Sequence, residues 1–156
     1  MPSHRGIWRQ VLGSTAQAQW HSADFLSFAK NCREDYDCVL MSFAMHHLRV
    51  HDKAELLREY HRLLTNSDGA FLMVDIVRKS GETLSNYQER SQYDVKTNWV
   101  GLSPDALASF TDHMLKYDFP ETVTTLEEIG VAAGFRSVSI EHVADKGLSQ
   151  FIAMEA

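Results

Sequence analysis

The strongest hydrophobic signal in the chain is the run Tyr-Asp-Cys-Val-Leu-Met-Ser-Phe at residues 36–43. Its centre, Cys38 to Met41, does not alternate with polar residues, which is typical of a strand in a parallel sheet covered on both faces. A helical pattern follows over 52–65, and a second apolar run at 70–77 comes after a polar turn. Strand, helix and strand predict a βαβ unit with a right-handed crossover.

Weaker patterns on either side of this unit also favour helices and strands. Ser103 before Pro104, and Thr125 followed by Glu128, are typical helix starts. A short polar turn between the last two apolar segments predicts an antiparallel hairpin. Alternation of helices and strands predicts a single α/β domain over 1–156. The other predicted elements are a helix over 4–13 within an N-terminal segment 1–22, a weak strand over 18–21, a helical turn over 24–30, a helix with a loop over 79–101, a helix from 103, a helix over 125–133, and strands over 137–143 and 150–154.

Composition narrows the class of protein. The 156 residues are 44% hydrophobic and 23% charged, with a net charge of −6, which is typical of a globular domain. The negative charge and the lack of a long basic run argue against nucleic acid as the main partner. No apolar run approaches the roughly 20 residues of a membrane span. Two cysteines form no disulfide framework and no signal peptide is visible, so we expect no membrane partner and a cytoplasmic location.

Five segments, in the right order, resemble class I S-adenosylmethionine-dependent methyltransferases that act on small molecules. They are the strand and loop at 36–48, the helix at 52–64, the turn at 68–69, the strand ending at Asp75, and the helix at 125–135 that ends in Ala-Ala-Gly-Phe. The resemblance covers about residues 19–156. It implies an incomplete Rossmann-like sandwich with a mostly parallel sheet, a C-terminal antiparallel hairpin, and a lid over the acceptor site at 79–120.

One departure from the family concerns the cofactor. Members of the family begin with a strand and a glycine-rich turn that binds S-adenosylmethionine, followed by an acidic residue for the ribose. Here Gly6 and Gly13 stand alone, and the sequence contains no GxGxG pattern. We therefore expect a truncated domain that lacks the first two strands and binds S-adenosylmethionine weakly or not at all. The turn at 66–69 also differs from the usual Pro-Gly-Gly, but it is still a good turn.

The resemblance assigns cofactor contacts to two places. Asp24 would accept a hydrogen bond from the adenine amino group, and Phe25 would pack on the adenine ring. Ser42 and Phe43 end the first strong strand at its carboxyl end, where open α/β sheets bind their ligands. The alternative for Asp24 is that it only caps the following helical turn. The alternative for Phe43 is ordinary core packing.

His46 and His47 follow directly, on the loop where the family places its substrate. Imidazole exchanges protons near neutral pH, so either residue is a candidate to take a proton from an acceptor hydroxyl or amine. The alternative is that they only shape the pocket, because methyl transfer needs little beyond orientation. No carboxylate or cysteine stands at a known ligand spacing from these histidines, so we predict no metal site.

Further candidates are expected to line the acceptor site. Asp75 ends the second strong strand and faces the same crevice, and aromatic lid residues suit a partly apolar acceptor. For each single residue, packing of the lid on the sheet is the alternative. The candidates for acceptor binding are Asp75, Arg78, Tyr87, Tyr93, Trp99 and His113.

Two functions from different classes follow. The first is a methyltransferase of a small-molecule acceptor, by ancestry, that is inactive as this chain alone. The second is a non-catalytic fragment or subunit that self-associates or needs a separate N-terminal half. Without the first two strands of the family, Cys38 to Met41 would form an unprotected sheet edge, which predicts a homodimer through that edge.

Overall fold

The structure is a computed structural model, and it describes Gln19, residues 21–144 and residues 148–156. The predicted helix over 4–13 lies outside the described residues, as do most of the segment 1–22 and two of the four residues of the predicted weak strand over 18–21. In the described part no helix is both long enough and apolar enough to cross a bilayer.

Six helical and strand segments form the body of the domain, and three more helices complete it. In chain order the helices and strands are α1 Phe25–Asn31, β1 Cys38–Ser42, α2 Val50–Leu64, β2 Ala70–Ile76, α3 Leu84–Asn98, α4 Pro104–Tyr117, α5 Val123–Ala133, β3 Ser137–Val143 and β4 Ser149–Glu155. Short 3₁₀ turns occupy Met45–His47 and Thr65–Ser67. The predicted βαβ unit is therefore β1-α2-β2.

The four described strands form one mixed sheet in the order β1-β2-β4-β3. β1 and β2 are parallel, with Cys38 opposite Ala70, whereas β4 is antiparallel to both β2 and β3. The α/β class and the C-terminal hairpin are confirmed. One of the three strand pairs in the described sheet is parallel, because the hairpin supplies both antiparallel pairs.

The hydrophobic core lies between one face of the sheet and the helices α2 and α5. The α2 residues Leu56, Leu57, Leu63 and Leu64 are buried, as the periodicity predicts. Fully burying a side chain of this kind contributes about 1.5–3 kcal/mol, so this face anchors the domain. From the sheet, the core receives Met41, Phe71, Met73, Ile152 and Met154.

The other face of β1 is open. Leu40 is 68% exposed, and it lines a groove of about 410 Å³ with Val74 and Phe151. The prediction that β1 is covered on both faces is therefore wrong within the described residues. A non-alternating apolar run shows that both faces of a strand are apolar. It does not show which segments of the chain cover those faces.

Helix starts agree with the sequence in part. Ser103 caps α4 through Ala106 N, with Pro104 in the first turn, as predicted. At α5 the cap is Thr122, whose Oγ1 accepts from Thr125 N at 3.2 Å, so the predicted start at Thr125 is three residues late. Gly134 ends α5 with φ of 115°, a left-handed conformation that glycine adopts without strain.

Candidate functional site

The site is built around Asp75, a carboxylate that lies next to the carboxyl end of β2. Its side chain is 1% exposed, so its charge depends on hydrogen bonds from the protein. Oδ2 accepts from Met45 N at 2.7 Å and from His46 N at 3.2 Å. Oδ1 lies 2.5 Å from His46 Nδ1 and accepts from Ile76 N at 2.7 Å. Asp75 therefore fixes both the backbone and the ring of His46.

The chain reaches this position through a turn at the end of β1. Phe43 has φ of 48°, in the left-handed region that costs a residue with a side chain about 1–3 kcal/mol. Its N–H still donates to Val74 O at 2.8 Å, so the chain stays tied to β2 as it turns. The 3₁₀ turn Met45–His47 then places His46 over Asp75.

His46 is 6% exposed, and its two ring nitrogens have different surroundings. Nδ1 faces the carboxylate of Asp75, which accepts hydrogen bonds, so the proton is assigned to Nδ1 by its partner. Nε2 is then the nitrogen with a free lone pair. It points toward a second carboxylate, with Oδ1 of Asp118 at 3.7 Å.

Asp118 collects three histidines around one oxygen. Besides His46, Nδ1 of His47 lies 3.2 Å from Asp118 Oδ1, and Nε2 of His113 lies 3.6 Å from it. Asp118 is 4% exposed, yet this oxygen has no hydrogen-bond partner among the described residues. The rings also contact one another, with centroids 4.0 Å apart for His46 and His47. We call Asp75, His46, His47, His113 and Asp118 the His–Asp cluster.

A buried lysine holds the segment that carries Asp118. Lys53 of α2 is 1% exposed, donates to Phe119 O, and lies 3.3 Å from Glu121 Oε1. Arg78 donates to Glu121 Oε2 at 3.0 Å and to Pro120 O at 2.6 Å. Burial lowers the pKa of Lys53, and the nearby Glu121 carboxylate opposes that change. This network fixes residues 118–121 against α2 and the end of β2.

The six predicted acceptor-site residues separate into four groups. Asp75 and His113 belong to the His–Asp cluster. Tyr87 is buried on α3, where burial raises its pKa and the carboxylates of Asp118 and Asp75 add to the increase. Arg78 is engaged in the network with Glu121. The remaining two, Tyr93 and Trp99, are 70% and 51% exposed, and Trp99 packs against Phe110.

None of the four predicted cofactor residues belongs to the His–Asp cluster. Asp24 Oδ1 accepts from Ser27 N at 2.9 Å and caps α1, which is the structural alternative from the sequence. Phe25 packs against the core, whereas Ser42 and Phe43 are exposed at the end of β1. In the described part of the chain no glycine-rich turn follows a strand. Of the groups expected to hold S-adenosylmethionine, the described residues offer the predicted positions Asp24, Phe25, Ser42 and Phe43 and no glycine-rich turn, and the carboxylate of Asp24 is already engaged as a helix cap.

Sequence reasoning missed Asp118, which is the second carboxylate of the cluster. It is 71 residues after His47, so no local spacing connects the two. Its position directly after α4 is visible in the sequence only as the end of a helical pattern before Pro120. Lys53 and Glu121 were missed for the same reason, because they meet only after α2 packs.

Known proteins of similar structure identify the fold of this chain. No protein-family model and no curated protein matches the chain. Among solved structures, an O-methyltransferase family protein from Burkholderia thailandensis matches over 99% of this chain and 41% of its own, with 14% identity and a TM-score of 0.60. The S-adenosylmethionine-dependent methyltransferase SibL matches over 99% of this chain and 41% of its own, with 14% identity and a TM-score of 0.56.

Human N-acetylserotonin methyltransferase, solved in complex with S-adenosylmethionine, matches over 96% of this chain and 37% of its own, with 12% identity and a TM-score of 0.55. The fold is that of class I S-adenosylmethionine-dependent methyltransferases. The chain spans about two fifths of the length of these three methyltransferases. The likeness confirms the resemblance inferred from the five sequence segments, at the level of the fold.

Proposed function

We propose that this chain is the acceptor-side part of an S-adenosylmethionine-dependent methyltransferase of small molecules, with His46 as its proton acceptor. The proposal rests on the two ring nitrogens of His46. Nδ1 contacts the carboxylate of Asp75, and Nε2 is left free. The pair lies next to the carboxyl ends of β1 and β2, where ligands of open α/β sheets bind. A histidine that is held by a buried carboxylate and keeps one free nitrogen is the arrangement that general-base catalysis uses.

The chemistry is a direct displacement. When bound, S-adenosylmethionine supplies a methyl group activated by its sulfonium. The acceptor oxygen or nitrogen forms a bond to that methyl carbon, the carbon–sulfur bond breaks, and its electron pair stays on sulfur. The acceptor proton passes to Nε2 of His46. The negative charge of Asp75 stabilises the imidazolium that forms, and Asp118 adds a second carboxylate near the transferred proton.

Other residues of this chain bind the acceptor. His47, at 39% side-chain exposure, and the exposed His113 place polar groups at the open side of the cluster. Tyr87 supports them from α3, and the exposed rings of Tyr93 and Trp99 offer apolar contact on the lid. Arg78 acts here through Glu121, because its guanidinium is already engaged. These contacts suit an acceptor with an aromatic or apolar body and one hydroxyl or amine.

The cofactor contacts of this chain are Asp24, Phe25, Ser42 and Phe43. They cover the adenine and one wall of the crevice, and the glycine-rich turn has to come from a further segment or chain. Each lost charge-assisted hydrogen bond is worth about 1.5–3 kcal/mol. We therefore expect this chain alone to bind the cofactor in the millimolar range, at about 4 kcal/mol.

Nuclear magnetic resonance on the isolated chain tests the proposal. S-adenosylhomocysteine, the demethylated product, is titrated to several millimolar while backbone amide signals are followed. We expect shifts confined to residues 24–25 and 42–47, without saturation at micromolar ligand. Micromolar saturation contradicts the weak-binding claim, and shifts that avoid both segments contradict the site.

An activity measurement completes the test in a polypeptide that also carries a glycine-rich cofactor segment. His46→Ala is expected to lower kcat for a phenol or amine acceptor by about 10²–10⁴-fold with little change in KM for S-adenosylmethionine. His51→Ala is the matched control, because His51 is 81% exposed on α2. An unchanged kcat in His46→Ala contradicts the proton-acceptor role.

The same proposal includes self-association through β1. In the described sheet β1 is an edge strand, since β2 is its only strand neighbour there. Cys38 and Leu40 are exposed, and the strand has no proline and no lysine to discourage pairing. A two-fold dimer that pairs β1 of one protomer with β1 of its partner would close this edge.

A further inference from the structure

We propose that the His–Asp cluster is a binding site for a divalent first-row transition metal, with Nε2 of His46, Nδ1 of His47 and Oδ1 of Asp118 as ligands. One potential ligand atom from each of these three residues lies within 4.8 Å of the other two. The inference does not depend on the proposed methyl transfer, because it would hold for a chain without any activity. It differs from the sequence-based prediction of no metal, which depended on the lack of a carboxylate that Asp118 now supplies.

The spacing of the donor atoms fits one ion. Ligands about 2.0–2.2 Å from a tetrahedral zinc ion lie about 3.3–3.6 Å from one another. Asp118 Oδ1 is 3.7 Å from His46 Nε2 and 3.2 Å from His47 Nδ1. These two separations are close to that range, so the distances from Asp118 to both histidines suit a shared ion.

The unpartnered oxygen of Asp118 points to a cation. A buried carboxylate oxygen without a hydrogen bond is costly, so this oxygen is suited to a positively charged partner. No arginine or lysine is placed against Asp118 among its described side-chain contacts, which are to histidines. A divalent ion would satisfy this oxygen together with Nε2 of His46 and Nδ1 of His47.

Asp75 supplies the support that such sites require. Metal-binding histidines commonly donate their other ring N–H to a carboxylate, which fixes the tautomer and makes the ligating nitrogen more basic. His46 makes this contact through Nδ1. His47 is less prepared, because its Nδ1 also lies 3.2 Å from Tyr117 O, and metal binding would exchange that contact for a bond to the ion.

The site has an entry path and a free position. His46 and Asp118 are buried, while His47 and His113 are partly exposed and form the open side. With three protein ligands, the fourth position is left for water or another small ligand, as in catalytic zinc sites and in iron sites with two histidines and a carboxylate. Occupancy engages Nε2 of His46, so metal binding and the proposed proton transfer exclude each other in time.

Metal titration of the isolated chain tests the inference. Zinc binding is measured by calorimetry after chelator treatment, and cobalt is used for its visible absorption, which reports four-coordinate nitrogen and oxygen ligands. We expect one ion per chain. Asp118→Asn keeps the shape of the side chain and should weaken binding at least tenfold, in line with the roughly 10- to 100-fold loss seen for supporting residues alone. His47→Ala should do the same, and circular dichroism reports whether each variant folds.

The matched control is His51→Ala. His51, Asp52 and Glu55 form the other group of potential ligands in the described residues, and it lies on the exposed side of α2. The inference is overturned if the chain binds no zinc, if both His47→Ala and Asp118→Asn bind as tightly as the unaltered chain, or if His51→Ala removes the binding. Because the readout needs neither cofactor nor acceptor, its failure leaves the proposed role of His46 standing, and the reverse also holds.

Discussion

The carboxyl ends of β1 and β2 lie side by side, but they are built differently. β2 leads into Asp75, a buried carboxylate that accepts four hydrogen bonds and holds a histidine. β1 leads into Ser42 and Phe43, both exposed, with Phe43 in a strained backbone conformation. The comparison indicates that the end of β2 is fixed by buried hydrogen bonds within this chain, whereas the end of β1 is exposed among the described residues.

The largest expected effect on the free energy of unfolding is at Asp75, and it distinguishes the end of β2 from the end of β1. Asp75→Ala leaves three backbone N–H groups and the ring of His46 without their acceptor in a buried place. A buried donor without its acceptor costs about 1–3 kcal/mol, and several are left here, so the free energy of unfolding in urea should fall by roughly 3 kcal/mol or more. Ser42→Ala, at the other strand end, should change it by less than about 0.5 kcal/mol. Equal effects at the two positions would remove the contrast.

A second comparison concerns Lys53 of α2, whose burial makes the free energy of unfolding depend on pH. Burial lowers the pKa of Lys53 in the folded chain, while in the unfolded chain it has its ordinary value of 10.5. Between those two pKa values the unfolded chain binds more protons, so the contribution of Lys53 to stability rises with pH. Below the folded pKa both states are protonated, and the full cost of burying the charge is present.

The measurement compares unfolding free energies of the unaltered chain and Lys53→Met across pH. Their difference should shift in favour of the unaltered chain by up to about 1.4 kcal/mol per pH unit within that window. The raised pKa values of buried tyrosines act in both proteins and cancel. Lys96→Met, on the exposed side of α3, should show no such slope. A flat difference for Lys53→Met would mean that the lysine is charged without cost.

Elements that pack against segments close in sequence could be predicted from the sequence, whereas contacts between distant segments could not. β1, α2, β2 and the hairpin follow from local periodicity, because their apolar positions pack against elements close in sequence. The start of α5 was missed by three residues, since Thr122 and Thr125 offer similar caps. The open face of β1 was also missed, because local sequence does not say which segment covers a strand.

Most residues of the His–Asp cluster, but not Asp118, could be predicted from the sequence. His46, His47, Asp75 and His113 were found because they stand at strand ends or on the lid of a fold that the sequence resembles. Asp118 and the Lys53–Glu121 pair join elements 65 or more residues apart, and only the packed chain brings them together. Asp24 stays a prediction for the cofactor, and its cap on α1 is the role that its contacts give it.

A substitution on β1 is expected to change stability least. It is expected to change the oligomeric state instead. Leu40→Lys places a charge on an exposed edge strand, which discourages pairing with another strand. Sedimentation at micromolar concentration should give a dimer for the unaltered chain and a monomer for this variant. Val131→Lys alters another exposed apolar residue, on α5, and should stay dimeric. A monomeric unaltered chain contradicts the proposed edge pairing.

The central claim is that Asp75 holds the proton of His46 on Nδ1 and leaves Nε2 free toward Asp118. The tautomer of His46 is the most direct test, measured by ¹⁵N–¹H correlation of the imidazole in the isolated chain, above neutral pH and with a chelator present. We expect the Nδ1–H tautomer, with Asp75→Asn altering its signals and His51→Ala leaving them unchanged. A His46 ring protonated on Nε2 instead, in the folded and unaltered chain, would contradict this assignment.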